Sequence, residues 1–221
     1  MLAEWLGSVG VEDFQRDYLH RSAWALPHSA HGAIALLDLP FGRWSTALVK
    51  PIREPIAAAF AARGFSVLAE DVVTLDDRGE TFFVRPAYPC IRLWPASAAA
   101  LYGSRSALPP LTPNWDKLYL DLTQSSGQFE NEPRRLAAIY LLDERSDDPL
   151  APFVYPLDPA AGMISLVANT YGTKLLDKHM RAREFALLSR VSQHVPLRRL
   201  TPHADALKLP KLCDELLSDF E

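Results

Sequence analysis

The chain has 221 residues and a formal charge of −4 at pH 7, and 48% of its residues are hydrophobic. This content is enough to bury a core, which excludes a disordered chain. The mild acidity disfavours nucleic-acid binding, because phosphates need a basic surface. We find neither an apolar run of about 18 residues nor a signal peptide, so we expect a cytosolic protein that does not bind membranes. The two cysteines indicate neither a disulfide framework nor a zinc ribbon. The chain has only 10 glycines but 18 prolines, which disfavours a function built on a glycine-rich loop.

The beginning of the chain is predicted to form an amphipathic helix. Val11, Phe14 and Tyr18 recur at helical spacing between charged residues, and an extended stretch follows them. We therefore divide the chain into an N-terminal helical segment, residues 1–30, and one α/β domain, residues 31–221.

The best-defined unit is a strand, a helix and a second strand at the start of this domain. HGAIALLDL predicts the first strand, and STALVK continues it or forms another. A helix follows, with Pro55 in its first turn and Gly64 as its C-terminal stop. FSVLAEDVVTL predicts a buried strand, and a hairpin turn around Gly79 leads to the strand TFFVRPAY. This order predicts a βαβ unit and an α/β fold.

The rest of the chain continues the alternation of strands and helices. A strand and a short helix are predicted for IRLWPASAAALYG, and a mobile loop with one short strand for residues 103–133. LAAIYLLDE predicts a strand, and helices are predicted from Asp158 and over KHMRAREFALLSRVSQHV. VPLRRL predicts the last strand, and Pro210 opens the final helix. We expect a mixed β-sheet flanked by helices.

Five segments occur in an order typical of one protein family. They are HGAIAL, AAAFAARGFSVLAEDVVTL, RPAYPCIRLWPASAAAL, AAIYLLDE and the stretch from ANTYGTKLLD to HVPLRRL. From about residue 31 onwards the chain resembles the C-terminal domain of HPr kinase/phosphorylase and its shorter kinase-like relatives. Residues 14–27, FQRDYLHRSAWALP, are instead similar to the opening segment of JmjC-type cupin oxygenases, although no downstream HxD motif with a distal histidine accompanies them.

The resemblance implies a P-loop kinase fold related to phosphoenolpyruvate carboxykinase. It implies ATP and Mg²⁺ as cofactors, and a serine hydroxyl on a peptide or small protein as the phosphate acceptor. Some of the shorter relatives are similar to peptide serine kinases encoded beside machinery for modified peptides. The resemblance also implies a homo-oligomer.

The same resemblance implies roles for individual residues. His31 matches the histidine that lies near the family's active site. Glu70 and Asp71 match the paired aspartates, which implies that both bind magnesium and that Asp71 is the general base. Plainer interpretations stay open, namely a histidine bonded to backbone at a strand end and two carboxylates that face a turn.

The expected phosphate loop departs from the family pattern. Alignment on the AAAF helix puts Arg53 at the lysine position, Glu54 at the magnesium-binding Ser/Thr position, and ALVKPI, residues 47–52, in the loop. No glycine lies between Gly42 and Gly64. A P-loop needs glycines because its backbone approaches the phosphates closely and visits positive φ.

The residues present in this loop oppose phosphate binding. Pro51 and Pro55 have no N–H to donate. Glu54 would lie close to the γ-phosphate, and like charges about 4 Å apart repel by roughly 4 kcal/mol at an effective dielectric constant of about 20. Arg53 and Lys50 would offset part of this repulsion and are the candidate nucleotide-binding cations, or else are solvated side chains before a helix.

Two functions therefore stay open. The first is a degenerate kinase, or pseudokinase, that keeps the fold as a module for binding a peptide or protein. The second is an active ATP- and Mg²⁺-dependent serine kinase, with Asp71 as base and Arg53 in place of lysine. The loop composition favours the first.

Overall fold

The structure is a computed structural model that describes residues 18–19, 25–28, 32–38, 53–70, 72–124, 129–170 and 176–220. The strands are β1 (Tyr18–Leu19), β2 (Ala25–His28), β3 (Gly32–Asp38), β4 (Val73–Asp77), β5 (Phe82–Arg85), β6 (Cys90–Leu93), β7 (Pro110–Thr112), β8 (Trp115–Asp121), β9 (Arg134–Leu142), β10 (Phe153–Pro156) and β11 (Leu197–Thr201). The helices are α1 (Arg53–Ala62), α2 (Pro95–Tyr102), α3 (Pro159–Ala168), α4 (Lys178–His194) and α5 (Leu209–Phe220), with a 3₁₀ turn at Ala206–Lys208.

The strands form one mixed sheet and one small antiparallel sheet. The large sheet has the order β1-β4-β5-β9-β11-β10, and β3 also pairs with β9 and carries β2 on its other edge. The pairs β3–β9 and β11–β9 are parallel, and the other pairs in this sheet are antiparallel. The small sheet has the order β6-β8-β7. The predicted α/β class, with a mixed sheet flanked by helices, is confirmed.

Strand β9 lies at the centre because both of its faces are buried. Ile139 and Leu141 belong to one apolar layer, which α3 and α4 complete with Leu166, Leu187 and other side chains. Tyr140 and its neighbours on the opposite face belong to a second layer, which α1 and α5 complete. Alternating side chains of a strand point to opposite faces of its sheet, so one apolar run serves both layers.

Helix α1 is buried on nearly every side. All six residues from Ile56 to Ala61 are buried, and the helix packs against α2, α5 and β6. A helix that is apolar all round is stable only inside a protein, and the alanines allow close approach. Gly64 has φ of +87° directly after the helix, a conformation that favours glycine, so the predicted C-terminal stop is confirmed.

The strand predicted for FSVLAEDVVTL is wrong in its first half. Regular strand pairing begins only at Val73, because the backbone carbonyls before it accept hydrogen bonds from two different segments. Ala87 N–H donates to the Leu68 carbonyl at 2.8 Å, and Glu130 N–H donates to the Val67 carbonyl at 3.1 Å. The parallel neighbour of β3 is β9 and not the strand after α1, so the predicted βαβ unit closes later in the chain.

The loop predicted for residues 103–133 holds more regular structure than the one short strand expected there. It contains β7 and the seven-residue β8, whose second half, Leu118–Asp121, pairs with β6. The partner strand lies more than twenty residues away, so local composition rich in Ser, Pro and Asn concealed the pairing. Strand β10, which was not predicted, pairs antiparallel with β11.

The helix predicted at the start of the chain does not extend to Tyr18. Tyr18 and Leu19 form a strand that pairs with Thr74 and Val73, while most of the predicted helix lies outside the described residues. Strand β2 pairs with β3, which agrees with the extended stretch expected there. The division into two units at residue 30 stays a prediction.

We expect Tyr140→Phe to lower the free energy of unfolding by about 1–2 kcal/mol, measured by urea denaturation. The buried Tyr140 hydroxyl donates to Asp219 Oδ2 at 2.7 Å and so joins β9 to α5. Burial and the Asp219 carboxylate raise the pKa of Tyr140 well above its usual value, so the hydroxyl keeps its proton. Tyr155→Phe is the matched control at a half-exposed site. Equal effects of the two changes would show that the hydrogen bond from Tyr140 to Asp219 does not contribute this stability.

The Asp77–Arg190 pair predicts a pH-dependent stability. Arg190 Nη1 donates to Asp77 Oδ1 at 3.0 Å, and this bond, opposed by burial, lowers the pKa of Asp77. A lowered pKa in the folded state contributes stability above the unfolded value of about 3.9, and this is lost as the pH falls through the folded value. We therefore expect Asp77→Asn to cost about 0.5–1 kcal/mol at pH 7 and less at pH 3.

Urea denaturation at the two pH values measures this difference. The exposed Asp116→Asn is the control, and we expect it to change the free energy of unfolding by less than about 0.5 kcal/mol at either pH. A pH-independent cost of Asp77→Asn would show that the ion pair is not its cause.

Candidate functional site

The structure tests few of the residues that the sequence singled out. His31, Lys50, Asp71 and the expected phosphate loop lie outside the described residues. Arg53 and Glu54 are the first two residues of α1, and only their backbone is described. The roles assigned to these five residues therefore stay predictions, and Glu70 is the candidate whose side chain the structure describes.

Glu70 is buried and forms an ion pair with Arg92. Its side chain is 8% exposed, and Arg92 Nε donates to Glu70 Oε2 at 2.9 Å. Glu70 lies in the bent segment before β4, whereas Arg92 lies on β6 of the small sheet. The pair therefore joins the two sheets. A buried carboxylate needs such a partner, because an isolated charge is costly away from water.

Cys90 lies in the electrostatic field of this pair. Burial first, and then the negative charge of Glu70, raises the pKa of the Cys90 thiol, while Arg92 opposes the change. Burial raises the pKa of the other free cysteine, Cys213, to about 11. Both thiols therefore favour the protonated, less reactive form at neutral pH.

Lys117 on β8 lies close to two indole rings. Its Nζ is 5.3 Å from the ring centroid of Trp94 and 5.7 Å from that of Trp115. Both distances are within the range of cation–π attraction, which holds the ammonium against the aromatic surface of the small sheet. The position of Lys117 therefore agrees with a structural role.

Three further arginines also have acidic neighbours. Arg198 and Arg199 on β11 pair with Asp219 and Asp143, respectively, and these pairs explain both arginines by folding alone. Arg85 Nε lies 3.8 Å from Asp76 Oδ2, which is too far for a hydrogen bond, and this buried nitrogen has no hydrogen-bond partner among the described residues.

The sequence did not reveal a depression at the start of α1. It is lined by Pro55 and Leu212, by the basic residues Arg145, His203 and Lys208, and by the acidic Asp205. The lining residues come from three separate stretches of the chain, so no contiguous sequence motif predicts the depression. Burial lowers the pKa of Arg145, which nevertheless stays charged. The depression thus combines apolar side chains with the charged Arg145, Lys208 and Asp205 beside the first turn of α1.

Within the described ranges, no group of three His, Cys, Asp or Glu side chains is arranged to hold a metal ion. In the same part of the chain, every helix is too short or too polar to cross a bilayer. The predicted cytosolic location and the magnesium ligands, Glu70 with Asp71, stay predictions.

Comparison with known proteins shows a distant likeness in structure. No protein-family model and no curated protein sequence matches this chain. Among solved structures, the chain is similar to the HPr(Ser) kinase/phosphatase from Coxiella burnetii. The TM-score is 0.47 at 11% sequence identity, and the match covers 91% of this chain and 94% of that chain. At that distance the likeness assigns no cofactor, substrate or site residue here.

We expect Arg92→Leu to lower the free energy of unfolding by about 2–4 kcal/mol, because it leaves the buried Glu70 carboxylate without this guanidinium. The double variant Glu70→Gln/Arg92→Leu should recover part of the loss. Thermal and urea denaturation of the single and double variants measure the coupling between the two residues. Arg105→Leu, at an exposed site, is the matched control. A loss no larger than that of the control would show that the pair is unimportant.

Proposed function

We propose that this chain is a kinase-like protein of the HPr kinase type that has lost ordinary P-loop chemistry. In this proposal the fold is kept as a module that binds a peptide or a small protein. The observation that carries the loss of phosphate chemistry is the ion pair between Glu70 and Arg92. The resemblance of the sequence supplies the family.

The ion pair supports the proposal because magnesium needs oxygen ligands with uncommitted negative charge. Glu70 is the described member of the pair expected to bind the metal, and its carboxylate already accepts a hydrogen bond from a guanidinium. A magnesium ion on that carboxylate would lie within a few ångströms of Arg92. Like unit charges about 4 Å apart repel by roughly 4 kcal/mol at an effective dielectric constant of about 20, and the ion carries two. The arrangement favours a structural carboxylate.

The start of α1 agrees with the same proposal. The helix is explained by the burial of Ile56 to Ala61 alone, without any ligand at its first turn. Pro51 and Pro55 cannot donate a backbone N–H to phosphate. Selection for core packing is therefore sufficient to retain this segment after nucleotide binding is lost.

Exposed apolar side chains support the binding part of the proposal. Large exposed hydrophobic residues often mark surfaces that contact other proteins. In the described part of the chain they include one group on or beside the small sheet and another on α3 and α4, namely Tyr88, Trp115, Ile164 and Phe185.

Titration calorimetry with Mg-ATP tests the proposed loss of nucleotide chemistry. We expect no binding heat and no rise in melting temperature at several millimolar Mg-ATP, since any ligand that binds only the folded state must stabilise it. Asp71→Asn is the matched variant, and it should behave like the unmodified chain. Submillimolar, magnesium-dependent binding that disappears in Asp71→Asn would instead establish the active serine kinase.

A further inference from the structure

Helix α3 has no charged residue and exposes an apolar outer face. Its inner positions, including Gly162 and Leu166, pack towards the core. Ile164 is 55% exposed and Val167 is 38% exposed. All of its exposed positions carry apolar side chains: Pro159, Ala160, Ala161, Ile164, Val167 and Ala168. A surface helix usually turns charged or polar residues to water, so this face is exceptional.

The neighbouring helix α4 adds an exposed aromatic ring and a group of cations. It packs against α3 and exposes 58% of Phe185. In its first two turns, Lys178 and Arg181 are exposed and lie at helical spacing from Phe185, on the same side of the helix, whereas Arg183 lies on the opposite flank and is followed by the acidic Glu184. Among the described residues, neither Lys178 nor Arg181 has a carboxylate within ion-pairing distance.

The cations lie at the end of α4 where they are least favourable. The helix dipole is positive at this end, and the first turn contains no acidic residue. Asp177, just before the helix, uses its carboxylate as the N-cap and accepts the Met180 N–H at 2.8 Å. Arg181 Nε donates only to the Leu176 carbonyl, at 2.9 Å. An external carboxylate would therefore relieve repulsion that the described part of the chain leaves in place.

We propose that Ile164, Val167, Phe185 and the cations Lys178 and Arg181, together called the α3–α4 surface, bind an acidic amphipathic helix of another protein. The apolar side of that helix would cover the apolar side chains, and its flanking Asp and Glu residues would meet the cations. This inference rests on the partner-binding part of the proposed function and is independent of nucleotide chemistry.

Charge distinguishes this occupant from a second copy of the chain. In a two-fold dimer the same patch is buried on both protomers. The cations of one protomer would then approach those of the other, and like charges across an interface cost several kcal/mol.

Side-chain type distinguishes it from a membrane-binding face. Helices that insert into the bilayer surface carry Trp, Phe and Leu on the apolar side. Phe185 on α4 is one such side chain, but the exposed positions of α3, which make up most of the apolar surface, are Ala, Pro, Ile and Val. Alanine permits close helix approach, and β-branched side chains lose little rotamer freedom when they are covered, which suits packing against another protein.

The probe is a synthetic 18-residue helical peptide with Leu at i, i+3, i+4 and i+7 positions and Glu flanking them. Its binding to the full chain is measured by fluorescence anisotropy without nucleotide. We expect binding that weakens with added salt, and a loss of about tenfold or more in affinity in each of Ile164→Asp and Phe185→Asp. Leu150→Asp, at an exposed apolar position in the turn before β10, is the matched control, and this variant should bind the peptide normally. The same peptide with Lys in place of Glu should not bind.

Several results would overturn the proposal. They are failure of the acidic peptide to bind, equal binding of the Lys peptide, and binding unaffected by both Asp variants once their melting temperatures show that they are folded. A concentration-dependent dimer abolished by Ile164→Asp would replace the partner with a second copy. Binding to vesicles rich in phosphatidylserine, lost in the same variants, would replace it with a membrane. Because nucleotide is absent throughout, none of these results depends on the outcome with Mg-ATP.

Discussion

The burial of β9 on both faces is the constraint on which the rest of the structure depends. One strand has to supply apolar side chains to two layers, and each layer needs its own pair of helices. The polar end of Tyr140 is tolerated only because Asp219 on α5 accepts its hydrogen bond. The parallel strands β3 and β11 flank this centre, and α1 is buried as a consequence of covering one face. The fold thus needs no ligand to explain its core.

The ion pair between Glu70 and Arg92 is the equivalent constraint on the chemistry of the candidate site. It ties the small sheet to the bend before β4, and it neutralises a carboxylate that the family pattern would give to magnesium. The two uses compete, because one carboxylate oxygen cannot hold a guanidinium and a small, demanding metal ion equally well. A structural role for this pair is consistent with a sequence that lacks glycine at the expected loop, and both support the proposal that the fold is retained for binding.

Elements with local signals were predictable from the sequence, and those that depend on distant partners were not. Gly64 marks the end of α1, and the apolar run of β9 is evident without any knowledge of its neighbours. One short strand was expected in the region of β8, but its pairing with β6 was missed because β6 lies more than twenty residues earlier. The ion pair of Glu70 with Arg92 was missed for the same reason. Taken alone, each residue is equally consistent with a charge in a functional site and with a charge on the surface. The outer face of α3 is apolar in sequence, but its exposure emerges only from the packing.

The central claim is that Arg92 holds the carboxylate that a kinase would give to magnesium. The ¹⁵N and ¹H resonances of Arg92 Nε–H report this hydrogen bond directly, and they can be followed by NMR as Mg-ATP is added to several millimolar. We predict that the Nε–H resonance stays at its position, with slow solvent exchange, throughout the titration. A saturating, submillimolar shift of this resonance that requires magnesium would contradict the claim, because it would show the metal competing for Glu70.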